Sequence, residues 1–258
     1  VGCGVDGFAV EPYWLSVTNT DIRLPRLPQA WDGVRIALLT DLHLGRWIDT
    51  DFIAEAVALC NEQKPDIVAL TGDIVSRRDA ITPAIADVLG ELQAPAGKFS
   101  VLGNHDYWTD PKMIGGYLAS AGFEPVDNDH RTLNRDGRPL HIAGVEDYLE
   151  GWPDTQAALG EVPDGECSIV LCHNPDYVEE MPASPSVDLL LCGHSHGGQV
   201  NLPLLGRPVL PMRHRKYAAG LNRGPQCPVY TSVGIGVIGI PVRFRCRPEI
   251  AILRLRSA

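Results

Sequence analysis

Val34-Arg35-Ile36-Ala37-Leu38-Leu39-Thr40-Asp41-Leu42-His43 is the stretch on which the fold is read. A short, almost unbroken apolar run of this kind predicts a strand buried on both faces, as in parallel sheets. The run stops at Asp41. Asp41 and His43 are two positions apart, so in extended chain they face the same side. The pattern returns four times. Asp66-Ile67-Val68-Ala69-Leu70-Thr71 ends at Gly72-Asp73, and Phe99-Ser100-Val101-Leu102 ends at Gly103-Asn104-His105-Asp106. Ser168-Ile169-Val170-Leu171-Cys172 ends at His173, and Val187-Asp188-Leu189-Leu190-Leu191-Cys192 ends at Gly193-His194-Ser195-His196.

Helical patterns separate the first of these runs. Residues 50–62 carry Phe52, Ile53, Ala56, Val57 and Cys60 at helical spacing, with Asp49 or Thr50 as N-cap. Residues 82–93 form a second predicted helix with Pro83 near its first turn. A third spans 110–121, with Asp110 as cap and Pro111 at the first helical position. The alternation predicts parallel strands with helical crossovers. Further strands are expected at Leu140-His141-Ile142-Ala143-Gly144-Val145, Val229-Tyr230-Thr231-Ser232-Val233 and Ile250-Ala251-Ile252-Leu253. The expected architecture is α/β, a four-layer α-β-β-α sandwich with two central mixed β-sheets. No linker, low-complexity tract or repeat divides it, so one domain over 1–258 is expected. Residues 1–33, with Pro12, Pro25 and Pro28, read as an irregular or edge-strand lead-in.

The chain has 258 residues and is 45% hydrophobic, enough for a sizeable core. Its net charge of -10 speaks against a nucleic-acid surface built on bulk positive charge. No apolar run is long enough to span a bilayer. The chain begins with Val rather than Met, so a removed N-terminal segment is an open expectation. The seven cysteines (Cys3, Cys60, Cys167, Cys172, Cys192, Cys227, Cys246) include no Cys-x-x-Cys pair and read as buried free thiols. Cys3 is also a candidate lipid-attachment site.

Open α/β sheets place ligand sites at strand ends. Asp41, Asp73, Asn104, His173 and His194 each follow a strand run, and together with His43 and His196 they supply oxygen and imidazole ligands. Taken singly, any of these histidines is an ordinary core residue and any of these aspartates a turn residue. Five such motifs at successive strand ends are harder to explain that way. A carboxylate such as Asp73 has two oxygens and can bridge two cations. Mixed N and O ligands without sulfur suit manganese, iron, zinc or cobalt better than a structural zinc cage. Two metals about 3.5–4 Å apart can stabilise both attacking and leaving oxygens of a phosphate ester. His105 sits beside these ligands and is surplus to them, which fits a proton donor.

The order Asp-x-His, Gly-Asp, Gly-Asn-His-Asp, His, Gly-His-x-His resembles the calcineurin-like metallophosphoesterases over roughly residues 34–200. Glu11-Pro12-Tyr13-Trp14 and Gly193-His194-Ser195-His196-Gly197-Gly198-Gln199 resemble the bacterial branch of YkuE- and YaeI-type phosphodiesterases. The resemblance implies a phosphodiesterase acting through a hydroxide that bridges two divalent or trivalent ions (Mn, Fe or Zn). It implies Asp41, His43, Asp73 and His196 on the first ion, and Asp73, Asn104, His173 and His194 on the second. His105 would protonate the leaving oxygen, with Asp106 orienting its ring. Many relatives have Glu where this chain has Asp106; the carboxylate is kept. The branch also implies a bacterial protein at the membrane or outside the cytoplasm.

Arg207, Arg213, Arg215, Lys216 and Arg223, with His214, form a stretch free of Asp and Glu just after the last motif. Arg207, Arg213, Arg215, Lys216 and Tyr217 are therefore candidate substrate contacts, with a solvated basic loop as the plainer alternative. The interleaved Leu202, Leu204, Leu205, Val209, Leu210 and Met212 suit peripheral membrane association or a lipid-linked substrate, unless they pack on the core. Two alternative functions follow: pyrophosphate cleavage in a UDP-linked lipid such as UDP-2,3-diacylglucosamine, and a non-catalytic metal-bound scaffold.

Overall fold

The computed structural model describes residues 6–258; the candidate lipid-attachment residue Cys3 lies outside them. Its strands are β1 (Ser16–Leu24), β2 (Arg35–Leu39), β3 (Ile67–Thr71), β4 (Gly97–Val101), β5 (Glu124–Pro125), β6 (Asp129–Arg135), β7 (Arg138–Gly144), β8 (Ser168–Leu171), β9 (Leu189–Cys192), β10 (Gly220–Arg223), β11 (Pro228–Thr231) and β12 (Glu249–Ser257). They form two mixed sheets, ordered β1-β12-β2-β3-β4-β5 and β10-β11-β9-β8-β7-β6. Pairing is parallel for β1-β12, through β2-β3-β4-β5 and through β7-β8-β9-β11, and antiparallel for β12-β2, β6-β7 and β10-β11.

Two-residue alternation sorts the strand side chains into layers. Ile36, Leu38, Ile67, Ala69, Leu140, Ile142, Ile169, Leu171, Leu189 and Leu191 pack between the sheets. Ala37, Leu39, Val68 and Leu70 face outward from the first sheet, under α1 (Thr50–Glu62), α2 (Ala84–Gly90) and α4 (Pro111–Ser120). Ala143, Val170, Cys172, Leu190 and Cys192 face outward from the second, beneath α5 (Thr155–Leu159) and neighbouring turns. Strands covered on both faces must be apolar at every position, which explains the continuous runs. The helical caps fall as expected: Asp49 accepts from the Phe52 amide at 2.9 Å and Asp110 from that of Met113 at 3.1 Å.

Of the irregular or edge-strand lead-in expected over 1–33, residues 16–24 take the edge-strand form: β1 runs in parallel register with β12, from Ser16 opposite Glu249 to Leu24 opposite Ser257. The helix expected over 82–93 is only Ala84–Gly90. A short helix, α3 (Asn104–Thr109), begins directly at the Gly-Asn-His-Asp motif. The described cysteines are all free and buried. Among the described residues no helix is long and apolar enough to cross a membrane.

Candidate metal centre

The strand pairings continue past the strand ends and carry the ligand loops with them. The Asp41 amide donates to Gly72 O, His43 to Asp73 O and Leu44 to Ile74 O, so the loops after β2 and β3 stay in register. In the second sheet the Gly193 amide donates to His173 O at 3.0 Å, aligning the loops after β8 and β9. His173 Nδ1 donates to Thr71 O at 2.7 Å, tying one sheet's ligand loop to the other's strand end.

These loops bend sharply. Asp41, His43, Asp73, His194 and His196 all have φ between 48° and 64°. Residues with a side chain adopt this left-handed region rarely and at a cost, and such strain gathers at functional sites. Close packing makes room for it. A Cβ on Gly193 would lie 2.0 Å from Thr40 Oγ1 and 2.4 Å from Asp41 Oδ2. Gly193→Ala is therefore expected to lower stability by about 1–3 kcal/mol by overpacking. Urea unfolding measures this, and an unchanged midpoint would contradict the packing described.

The side chains converge in two adjoining groups. Around Asp41 Oδ1, His196 Nε2 lies at 3.2 Å and His43 Nε2 at 3.9 Å, with the two imidazole nitrogens 3.0 Å apart. Around His173 Nε2, Asn104 Oδ1 lies at 3.2 Å and His194 Nδ1 at 3.1 Å. Asp73 joins the groups. Its Oδ1 accepts the His105 amide at 2.9 Å, while its Oδ2 lies 3.4 Å from both His43 Nε2 and His173 Nε2. Ligand atoms of Asp41, His43 and His196, and those of Asp41, Asp73 and His173, lie within 4.8 Å of one another.

The protonation pattern fits cations. His173 gives its Nδ1–H to Thr71 O, and His194 gives its Nε2–H to Pro211 O at 2.9 Å. Their inward nitrogens, His173 Nε2 and His194 Nδ1, face each other at 3.1 Å, with Asp73 Oδ2 3.4 Å from the former. Burial opposes a charge on His173, but the Asp73 carboxylate outweighs it and raises the His173 pKa well above its usual value, so Nε2 carries a proton that a bound cation would displace. Burial pushes the His43 pKa down to about 3 and that of His194 to about 4, keeping both imidazoles neutral near pH 7 and able to bind metal. Burial also disfavours the Asp41 charge, but His196 and the other imidazoles outweigh it and hold the carboxyl below its usual range.

His105 stands at the mouth of this centre. Its Nδ1 donates to Ser76 O at 3.2 Å, and its ring meets that of His43 edge-on at 4.8 Å. The expectation that Asp106 orients this ring is corrected. Asp106 Oδ1 accepts the Ile74 amide and Oδ2 the Gly103 amide, each at 2.9 Å. Asp106 is the third residue of α3 and its carboxylate reaches back to the N-cap amide of Gly103. Neighbours in a helix do not face each other. The Ser76 carbonyl therefore holds the ring instead. Asp106→Ala should cost about 1–3 kcal/mol by orphaning buried amides. Its effect should appear first in the melting temperature; an unshifted melt with lost activity would restore the orienting role.

The basic stretch divides. Tyr217 is fully buried in the outer core of the second sheet, and its hydroxyl donates to Glu179 Oε1 at 2.6 Å. Its expected contact with substrate is corrected on that ground. Lys216 Nζ is 2.7 Å from the same Glu179 oxygen, and Arg215 Nη2 donates to Arg207 O. Arg213 is exposed, with Glu180 at 3.9 Å. Arg207 packs its Cβ against Gly198 beside the His196 turn, and its buried Nε has no partner among the described residues.

Two neighbours of the centre were missed. Asp147 follows β7, is fully buried, and keeps Oδ1 without a partner among the described residues while Oδ2 accepts the Leu149 and Glu150 amides. Its signal was present: Leu140 to Val145 is another apolar run that ends at carboxylates. Trp108 lies beside His105 with ring centroids 4.6 Å apart.

Residues 34–198 match the calcineurin-like phosphoesterase family. The chain is 37% identical over 253 residues to the phosphodiesterase YaeI of Escherichia coli, covering 95% of this chain and 90% of that one. It is 32% identical over 259 residues to the metallophosphoesterase YkuE of Bacillus subtilis, covering 96% and 88%. A zebrafish transmembrane protein with a metallophosphoesterase domain is 30% identical over 255 residues, covering 94% of this chain and 57% of its own length. The fold is similar to that of the Haemophilus influenzae NAD nucleotidase, with TM-score 0.53 and 16% identity over 78% of this chain and 45% of that one. With two mixed sheets, metal-competent His/Asp groups at their strand ends and this match, the chain belongs to the calcineurin-like metallophosphoesterases, a family of metal-dependent phosphoester hydrolases.

Proposed function

We propose that this chain hydrolyses phosphodiesters at a pair of metal ions, Mn, Fe or Zn. Asp41, His43, Asp73 and His196 would hold one, and Asp73, Asn104, His173 and His194 the other. The observation that carries this is Asp73 Oδ2, equally distant from His43 Nε2 and His173 Nε2. Bound there, the ions would supply charge for the phosphoryl oxygens and a nucleophile at neutral pH. When protonated, the His105 ring keeps its Nδ1–H on Ser76 O and presents Nε2–H to the leaving oxygen. Arg207, beside the His196 turn, and the exposed Arg213 and Arg215 would draw the anionic ester toward the mouth. The test is metal-reconstituted protein assayed against mono-, di- and pyrophosphate esters with elemental analysis. Diester hydrolysis with bound metal is expected; metal without hydrolysis of any ester would favour the scaffold instead.

One observation favours a lipid-linked substrate, including the pyrophosphate of a UDP-linked lipid, as a second reading. Leu204, Leu205, Val209 and Ile240 are 106%, 78%, 71% and 63% exposed. Gln199 joins their two loops: its side-chain amide donates to Ile238 O, and its carbonyl accepts from Phe244. Exposed Phe8 adjoins them, since Gly7 O accepts the Arg243 amide at 2.9 Å. Large apolar side chains beside Arg207 and Arg245 suit the surface of an anionic bilayer. Co-sedimentation with phosphatidylglycerol vesicles is expected, and Leu204→Glu with Leu205→Glu should abolish it. Equal sedimentation of that variant would remove the membrane reading while leaving the hydrolase reading intact.

A further inference from the structure

Trp108 has no part in holding metal, yet it lies against the proton donor. His105 and Trp108 are three positions apart on α3, so they share a face of the helix. Their ring centroids are 4.6 Å apart with the planes tilted by 58°. Trp108 is 58% exposed, although α3 lies at the strand ends where burial is otherwise high. A large apolar surface left in water beside a catalytic group is a common sign of a ligand contact.

The position of that ligand follows from His105. Its Nδ1 is taken by Ser76 O, its backbone amide by Asp73 Oδ1, and its ring lies perpendicular to that of His43 at 4.8 Å. Nε2 is then the nitrogen free to exchange a proton with substrate. An oxygen that receives this proton must come within hydrogen-bond reach of Nε2. Whatever is attached to that oxygen therefore starts within a few ångströms of the Trp108 ring.

We propose that Trp108 is one wall of a leaving-group subsite that takes a flat aromatic ring, either an aryl group or a nucleoside base. This rests on the reading of His105 as proton donor. Stacking on the open face of the indole lowers the energy of an aromatic leaving group and does little for a small alkyl one. Trp108 is thus a specificity-determining residue, and the bond-breaking chemistry stays with His105 and the metal ligands.

The test uses metal-reconstituted wild-type, Trp108→Ala and Trp108→Phe proteins with three diesters: bis-p-nitrophenyl phosphate, a dinucleoside phosphate and a glycerophosphodiester. Trp108→Ala is expected to lower kcat/KM about three- to tenfold on the aromatic substrates. The glycerophosphodiester should change by less than about twofold on the same reasoning, and Trp108→Phe should restore most of the loss. A loss on one aromatic substrate alone supports the wall and names the ring it accepts. Equal losses on all three diesters, or none, would overturn the proposal. Binding of phenylphosphonate and methylphosphonate by saturation-transfer NMR reads the wall without turnover. Phenylphosphonate should bind more weakly to Trp108→Ala and methylphosphonate unchanged. Should the wild type hydrolyse none of the diesters, the phosphodiesterase reading fails, and the phosphonate pair still decides for or against the wall.

Discussion

Asp73→Ala is expected to lose both metal ions together and nearly all hydrolysis. Asp73 Oδ2 lies between the two groups of candidate ligands, at 3.4 Å from an imidazole nitrogen of each. Its removal also leaves the Nε2 atoms of His43 and His173 without an intervening carboxylate. Metal ions contribute several kcal/mol of charge stabilisation in such reactions. At about 1.4 kcal/mol per tenfold, a loss of about 10³-fold or more in kcat/KM follows. Elemental analysis alongside the assay gives the reading. Loss of one ion with the other retained would mean that Asp73 serves a single site, and that the two groups are independent.

His105→Ala is the second large effect, and its signature is different. No metal ligand is removed, so the metal content should match that of the wild type. General acid–base catalysis contributes about 10²–10⁴-fold, and a loss of that size is expected on esters with poor leaving groups. Bis-p-nitrophenyl phosphate, whose leaving group needs little protonation, should lose less. A uniform loss across leaving groups would assign His105 to binding. A simultaneous loss of metal would place it among the ligands, an option its ring keeps open by lying within 4.8 Å of ligand atoms of His43 and Asp73.

What the sequence disclosed and what it hid have separate physical causes. The ligand loops were readable because a strand covered on both faces must be apolar throughout, so the first polar residues mark its end. The tight left-handed turns at Asp41, His43 and Asp73 left no such trace. The orienting role that the resemblance implies for Asp106 takes no account of the local backbone. Once α3 forms, adjacent residues point apart, and the carboxylate turns back to the Gly103 and Ile74 amides. Tyr217 lies in a loop with no periodicity to give away its burial against Glu179. The sequence leaves β1 open between irregular and edge-strand structure because its polar residues pair with β12, some 230 residues later, and no local pattern foretells that register. Trp108 carried no motif; only its contact with His105 gives it meaning.

The most direct measurement of the central claim is anomalous X-ray diffraction from crystals of the metal-reconstituted protein. Two peaks are predicted about 3.5–4 Å apart. One should lie among Asp41, His43 and His196, the other among Asn104, His173 and His194, with Asp73 touching both. A single peak, or peaks away from Asp73, would contradict the account.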